Sequence, residues 1–254
     1  MNTDTSDPRI TGEHLRRLSG SDGVGDEGAG ESNVGDVTLV GVVHDHPASK
    51  HRVGTTVEAV APDVLALELP PLAIPLYEGY ADDPRSPPRF GGEMSAAVAA
   101  SDGDRIVGID GPSAGFAARL FRNLAGDGSS IDALRSAVRS LATGTKRAVA
   151  CRLAAGLAAW TGLTVEVGDP TAHGCDRSDD PATQAEDERS RVRRARTIAE
   201  TFERPETDRV RTVTREAHMA DRLAALRREG NVVAVVGIAH LDPLVARLTD
   251  GASQ

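Results

Sequence analysis

Two of the seven histidines in this chain close the same short pattern. Near the start, Val37-Thr38-Leu39-Val40 runs into Gly41-Val42-Val43-His44, and near the end Val232-Val233-Ala234-Val235-Val236 runs into Gly237-Ile238-Ala239-His240. An imidazole binds a divalent metal through one ring nitrogen, or takes a proton from water near neutral pH. A carboxylate of the right kind lies in Leu65-Ala66-Leu67-Glu68-Leu69, where an ionisable group within an apolar run is costly unless it pairs with an arginine or does chemistry. Asp110, before Gly111-Pro112, has the spacing of a turn or cap residue. His44, His240 and Glu68 are a minimal set for a divalent ion such as zinc, manganese or cobalt, with positions left for water and substrate. The same groups could work without metal, a histidine serving as general base and a carboxylate orienting it.

These residues share a site only if the elements before them share a sheet edge. The β-branched runs read as buried strands, and each glycine lets the backbone turn off the sheet. Strands are expected at Val37 to Val40, Val64 to Leu69, Arg105 to Asp110 and Val232 to Val236, with a helix from Ser49 to Val60. Strand, helix, strand at this spacing implies a parallel pair with a right-handed crossover. The expected fold is α/β: a mainly parallel central sheet, helices on both faces and a helical insertion, about 125–205, before the last core strand. Sites in such sheets lie at the carboxyl ends of the strands.

Around this frame, Gly91-Gly92-Glu93-Met94 opens a helix, with Glu93 either placed for its N-terminus or aimed at the site. Helices are expected at Ser113 to Leu124, Ile131 to Thr143, Arg147 to Thr161, Gln184 to Glu203, Glu206 to Glu229 and Leu244 to Leu248. Leu153 to Val165 reads as a buried helix, too short and too close to Arg152 to span a bilayer. Gly168 to Pro181 reads as a polar loop. Arg215 stands in the helix before the last strand, where it belongs to a solvated face or points at the strand ends to bind a carboxylate or an oxyanion. His46 could join the site, whereas His14, His51 and His173 are not expected to act. Residues 1–35, rich in Gly, Ser, Asp and Glu, read as a disordered, dispensable tail with a short helix at Glu13 to Leu18, so that one domain runs from 36 to 254.

A formal charge of −9 and a pI near 5.3 disfavour nucleic acid and anionic membranes as partners. Arg189, Arg191, Arg193, Arg194 and Arg196 are flanked by acids and have no aromatic interleaving, so they read as a salt-bridged surface. Lys50 and Lys146 are the sole lysines, a composition that suggests a high-salt cytoplasm or a GC-rich genome. Two unpaired-looking cysteines, Cys151 and Cys175, favour a reducing, cytoplasmic setting. No signal peptide or P-loop appears. Homo-oligomerisation is left open.

The ordered pieces together resemble the TraB/PrgY family and its wider group with Tiki proteases, ChaN proteins and erythromycin esterases. They are strand-Gly41-x-x-His44, Pro62-Asp63-Val64-Leu65-Ala66-Leu67-Glu68-Leu69, Gly92-Glu93-Met94, Ile106-Val107-Gly108-Ile109-Asp110, Arg215-Glu216-x-x-Met219-Ala220 and strand-Gly237-x-x-His240-Leu241. They cover about 37–124 and 206–248. The resemblance implies a metal-dependent hydrolase of a peptide or amide bond. His44, Glu68 and His240 would bind metal, Glu93 or His46 would handle protons, and Arg215 would bind substrate. The alternatives are a non-catalytic module that sequesters a peptide or small ligand, and a metal-free esterase-type hydrolase with His44 as base.

Overall fold

The computed structural model describes residues 7–20, 34–102, 105–111, 114–126, 131–161, 166–167, 171–201 and 206–251. After β1 (Leu15–Leu18) come β2 (Val37–Val42), α1 (Pro47–Val60), β3 (Val64–Leu67), a 3-10 turn (Pro71–Ala73), α2 (Ile74–Ala81), α3 (Gly92–Ala99) and β4 (Arg105–Gly108). Then follow α4 (Ala114–Gly126), α5 (Ile131–Thr161), α6 (Pro181–Thr201), α7 (Glu206–Leu226), β5 (Val232–Gly237) and α8 (Ile238–Gly251). The sheet order is β1-β2-β5-β3-β4, parallel throughout except for β1.

The strands that carry the two Gly-x-x-His segments lie side by side, Val37 opposite Val232 and Val42 opposite Gly237. Alternation divides their side chains between two cores. Leu39, Val64, Ala234 and Val236 pack on one face with Met219 and Leu223 of α7 and Leu241 and Leu244 of α8. Val40, Leu65, Leu67 and Val235 pack on the other with Val53 and Val57 of α1 and Met94 and Val98 of α3. After β2 the chain therefore turns to one face, and after β5 to the opposite face. At the carboxyl edge left by that divergence lies a crevice lined by His44, Glu68 and Gly237, the place where doubly wound sheets bind ligands.

Several expectations are corrected. Leu15–Leu18 is a strand, not a helix, paired antiparallel with β2 from Leu15 opposite Val40 to Leu18 opposite Val37. The ordered domain thus starts well before Asp36. Local propensity is weak in Leu-Arg-Arg-Leu, and the open edge of β2 decides the conformation. Buried His14 and buried Arg52 fix this segment. Arg52 donates from Nε to the Arg9 carbonyl at 2.7 Å and from its guanidinium to the Gly41 carbonyl at 2.8 Å, and Gly41 N donates to the His14 carbonyl at 2.7 Å.

The two helices expected around Gly144 are one continuous α5 of 31 residues. A mid-helix glycine costs only about 1 kcal/mol, which its alanine-rich neighbours tolerate. Leu153 to Thr161 is buried along one side alone: Ala154 packs in a small core with Cys151, whereas Leu153 is 69% and Trp160 85% exposed. Residues 162–165 lie outside the described set. The last helix is longer than expected, reaching from Ile238 to Gly251, so His240 stands in its first turn. Among the described residues no helix is long and apolar enough to cross a membrane.

Candidate active site

Each Gly-x-x-His histidine is held by a glutamate. Glu93 is the second residue of α3, whose start is set by Gly91 and Gly92 at φ 80 and 61. A Cβ on Gly92 would stand 2.6 Å from the Asp45 carboxylate, so the close approach of α3 to the first loop requires glycine there. Glu93, 2% exposed, accepts from His44 Nδ1 at 2.9 Å and from Asp45 N at 2.8 Å. On the other side of the crevice, Glu216 of α7 accepts from His240 Nδ1 at 3.0 Å. A carboxylate only accepts, so each imidazole, when neutral, carries its proton on Nδ1 and leaves the lone pair on Nε2. This carboxylate–histidine arrangement is the one that orients metal ligands and catalytic bases.

The surroundings of the two Nε2 atoms differ. His44 has a side chain 61% exposed and lines a cavity of about 420 Å³ together with Glu68, Glu93, Asp110, Tyr77 and Arg147. Its hydrogen bond to Glu93 raises its pKa above the ordinary histidine value. The Asp45 carboxylate lies 3.5 Å from its Nε2, and His173 Nε2 donates to the His44 carbonyl at 3.0 Å. His240 is 13% exposed, and its Nε2 accepts from the Arg215 guanidinium at 3.3 Å.

Arg215 binds the ends of three strands. It donates to Glu68 at 2.6 Å and to both Asp110 oxygens at 2.7 and 2.6 Å. Burial opposes its charge, but the hydrogen bond to Asp110 and the charges of Glu68, Asp110 and Glu216 outweigh it and hold its pKa above the ordinary value. The second Glu68 oxygen accepts from Gly237 N at 2.6 Å, which ties β3 to the turn that presents His240. The sequence left Glu68 as either an arginine partner or a site group; it is an arginine partner that also lines the cavity. Asp110 is more than a turn residue: it accepts from Gly111 N and from Arg215.

A divalent ion can be tested against the donors present. Among the described residues, two groups bring three ligand atoms within 4.8 Å of one another: His44, Asp45 and Glu93, and His46, Cys175 and Asp187. The expected trio of His44, Glu68 and His240 is not one of them. Glu68 and His240 approach to 3.6 Å, but the Arg215 guanidinium occupies both. The donors that fit an ion beside the cavity are those around His44.

His46 is not among the residues that line the His44 cavity. It is fully buried and caps α1: its Nδ1 accepts from Ala48 N at 3.2 Å, so the proton is on Nε2, which donates to Asp187 at 3.1 Å. That tautomer leaves His46 no free lone pair to offer a metal in its group with Cys175 and Asp187. Cys151 lines the cavity as a thiol whose pKa burial raises, which disfavours a thiolate nucleophile.

Sequence reasoning missed Glu216, which looked like part of a solvated helix face, and Asp45, whose φ of 59 follows from the sharp exit of the chain after β2. It also missed Glu188. That residue, 1% exposed in charged α6, pairs with Arg52 and accepts from Ser49. Comparison with known protein families, curated proteins and solved structures finds no match to this chain.

Proposed function

We propose that this chain is a TraB/PrgY-like cytoplasmic hydrolase of peptide or amide bonds that works with a divalent cation on the His44 side of the cavity. The observation that carries the reading is His44 itself. In the neutral imidazole the Nδ1 proton is held by a buried glutamate, which leaves the lone pair on Nε2, beside the Asp45 carboxylate. His44 Nε2 and Asp45 would hold the ion, with Glu93 behind the ring, and zinc, manganese or cobalt suit such donors. When bound, it would acidify a water and polarise the scissile carbonyl. Glu93 keeps the imidazole in one tautomer and orientation. Arg215 spends its donors on Glu68, Asp110 and His240 and so positions the strand ends rather than seizing a substrate carboxylate. Tyr77, whose pKa burial pushes up to about 12, stays protonated and can donate a hydrogen bond to substrate.

A second reading has an observation in its favour. Arg215 already occupies Glu68 and His240, and a metal-free hydrolase would need only His44 as general base, oriented by Glu93. Metal analysis of purified protein, beside assays of the chelated and reloaded enzyme on peptide, amide and ester substrates, separates the two. The metal reading expects about one ion per chain and activity lost to chelator and restored by metal. Full activity in the chelated protein leaves the second reading. His44→Ala is expected to lower activity at least about 100-fold in either case.

A further inference from the structure

A second cavity, about 640 Å³, adjoins the first and shares Asp110, Gly111, Gly144 and Arg147 with it. Its lining is charged in the opposite sense. The His44 cavity carries Glu68, Glu93 and Asp110 against Arg147, whereas the second carries Arg139, Arg147, Arg211 and Arg215 against Asp110 alone. This concentration of arginine belongs to a chain with a formal charge of −9.

The four arginines are not equally available. Arg215 is spent on Asp110 and Glu68, and Arg211 donates to Ser140 at 2.9 Å with Asp208 at 3.6 Å. Arg139 and Arg147, both exposed on α5, make no ion pair among the described residues. They are two turns apart on one helix and line the same cavity. Arg147 also lines the His44 cavity, and its charge opposes protonation of His44. Cations left unpaired beside a candidate reaction centre are free for bidentate contact with a carboxylate. Phe116, Leu120 and Leu141 supply apolar wall around them.

We infer that Arg139 and Arg147 form an anion-binding subsite for the carboxylate of a peptide ligand, seated next to His44. The helix that supplies both arginines lies in the insertion outside the family-like segments, so this chain's own insertion sets its ligand selectivity. The carboxylate could be the C-terminus of the peptide or an acidic side chain. The inference deepens the hydrolase reading and rests on it for turnover, but ligand binding can be read separately.

The test measures binding by calorimetry with the full chain and three synthetic hexapeptides of one neutral core sequence: free C-terminal acid, C-terminal amide, and amide carrying one glutamate. Inorganic phosphate is the fourth probe. One or both carboxylate peptides are expected to bind at least about tenfold more tightly than the neutral amide. Preference for the free acid identifies the C-terminus, and preference for the glutamate peptide the side chain. The double variant Arg139→Gln, Arg147→Gln should erase the difference while leaving the melting temperature within about 1 °C, since both side chains are exposed. Equal affinity for all three peptides, an undiminished preference in the double variant, or binding of phosphate without any acidic peptide overturns the inference. Charge-selective binding without cleavage would sink the hydrolase reading alone, and cleavage without charge preference this inference alone.

Discussion

His44 and His240 end the same pattern on neighbouring parallel strands, and each gives its Nδ1 proton to a glutamate. Beyond that they part. His44 is open to the cavity, and the elements on either side of it are anchored by backbone carbonyls of the N-terminal segment, which take Arg52 and Gly41 N, and by Glu188 of α6, which takes Arg52. His240 is locked into an ionic network of Arg215, Glu68, Asp110 and Glu216 in which both of its ring nitrogens are engaged. A repeated motif therefore fixes a repeated backbone and ring orientation, while its neighbours decide which copy stays reactive. An exposed, oriented lone pair suits chemistry, and a saturated one suits positioning.

The comparison breaks most visibly at its anchors. Removing residues 1–20 should destabilise the protein by roughly 3–5 kcal/mol, because Arg52 and Gly41 N lose buried partners. A fall in melting temperature of more than about 5 °C is expected. An unchanged melting temperature would mean that the first motif does not depend on β1. Next, Arg215→Met should cost about 3 kcal/mol in urea unfolding, since it leaves Glu68 and Asp110 facing each other without a cation. Arg215→Lys should recover only part of that, because an ammonium cannot reach Glu68, Asp110 and His240 as a planar fork.

The histidines themselves should then differ. His240→Ala is expected to cost about 1–2 kcal/mol by stranding Glu216 and an Arg215 donor. His44→Ala should cost less than about 1 kcal/mol, since water reaches the space of an exposed ring. Equal costs would erase the distinction between an open and a locked copy. The smallest effect concerns protons. Glu93 raises the His44 pKa, so His44 adds stability that is full below its unfolded value of 6.5 and is lost as pH rises through its folded value. Glu93→Gln should bring the His44 titration, followed by NMR, back toward 6.5 and flatten that dependence. An unmoved titration would show that Glu93 does not hold the ring.

By itself the sequence determined the parts that local pattern encodes. Continuous apolar, largely β-branched runs placed β2 to β5, and glycine at strand ends marked where the chain turns. The spacing of β2, α1 and β3 required a parallel sheet, which puts His44, Glu68, Asp110 and His240 at one edge. What stood outside that code was decided by contact. Leu15–Leu18 became a strand because β2 offered an edge, and Gly144 stayed helical because the run around it is long. Glu188 and Glu216 were pulled from charged helix faces by Arg52 and His240. The same contacts closed Arg215 over Glu68 and His240 and left Nε2 of His44 open. A histidine's residue type fixes what it can do, but whether its second nitrogen is free depends on which side chains the fold brings within 3 Å of it.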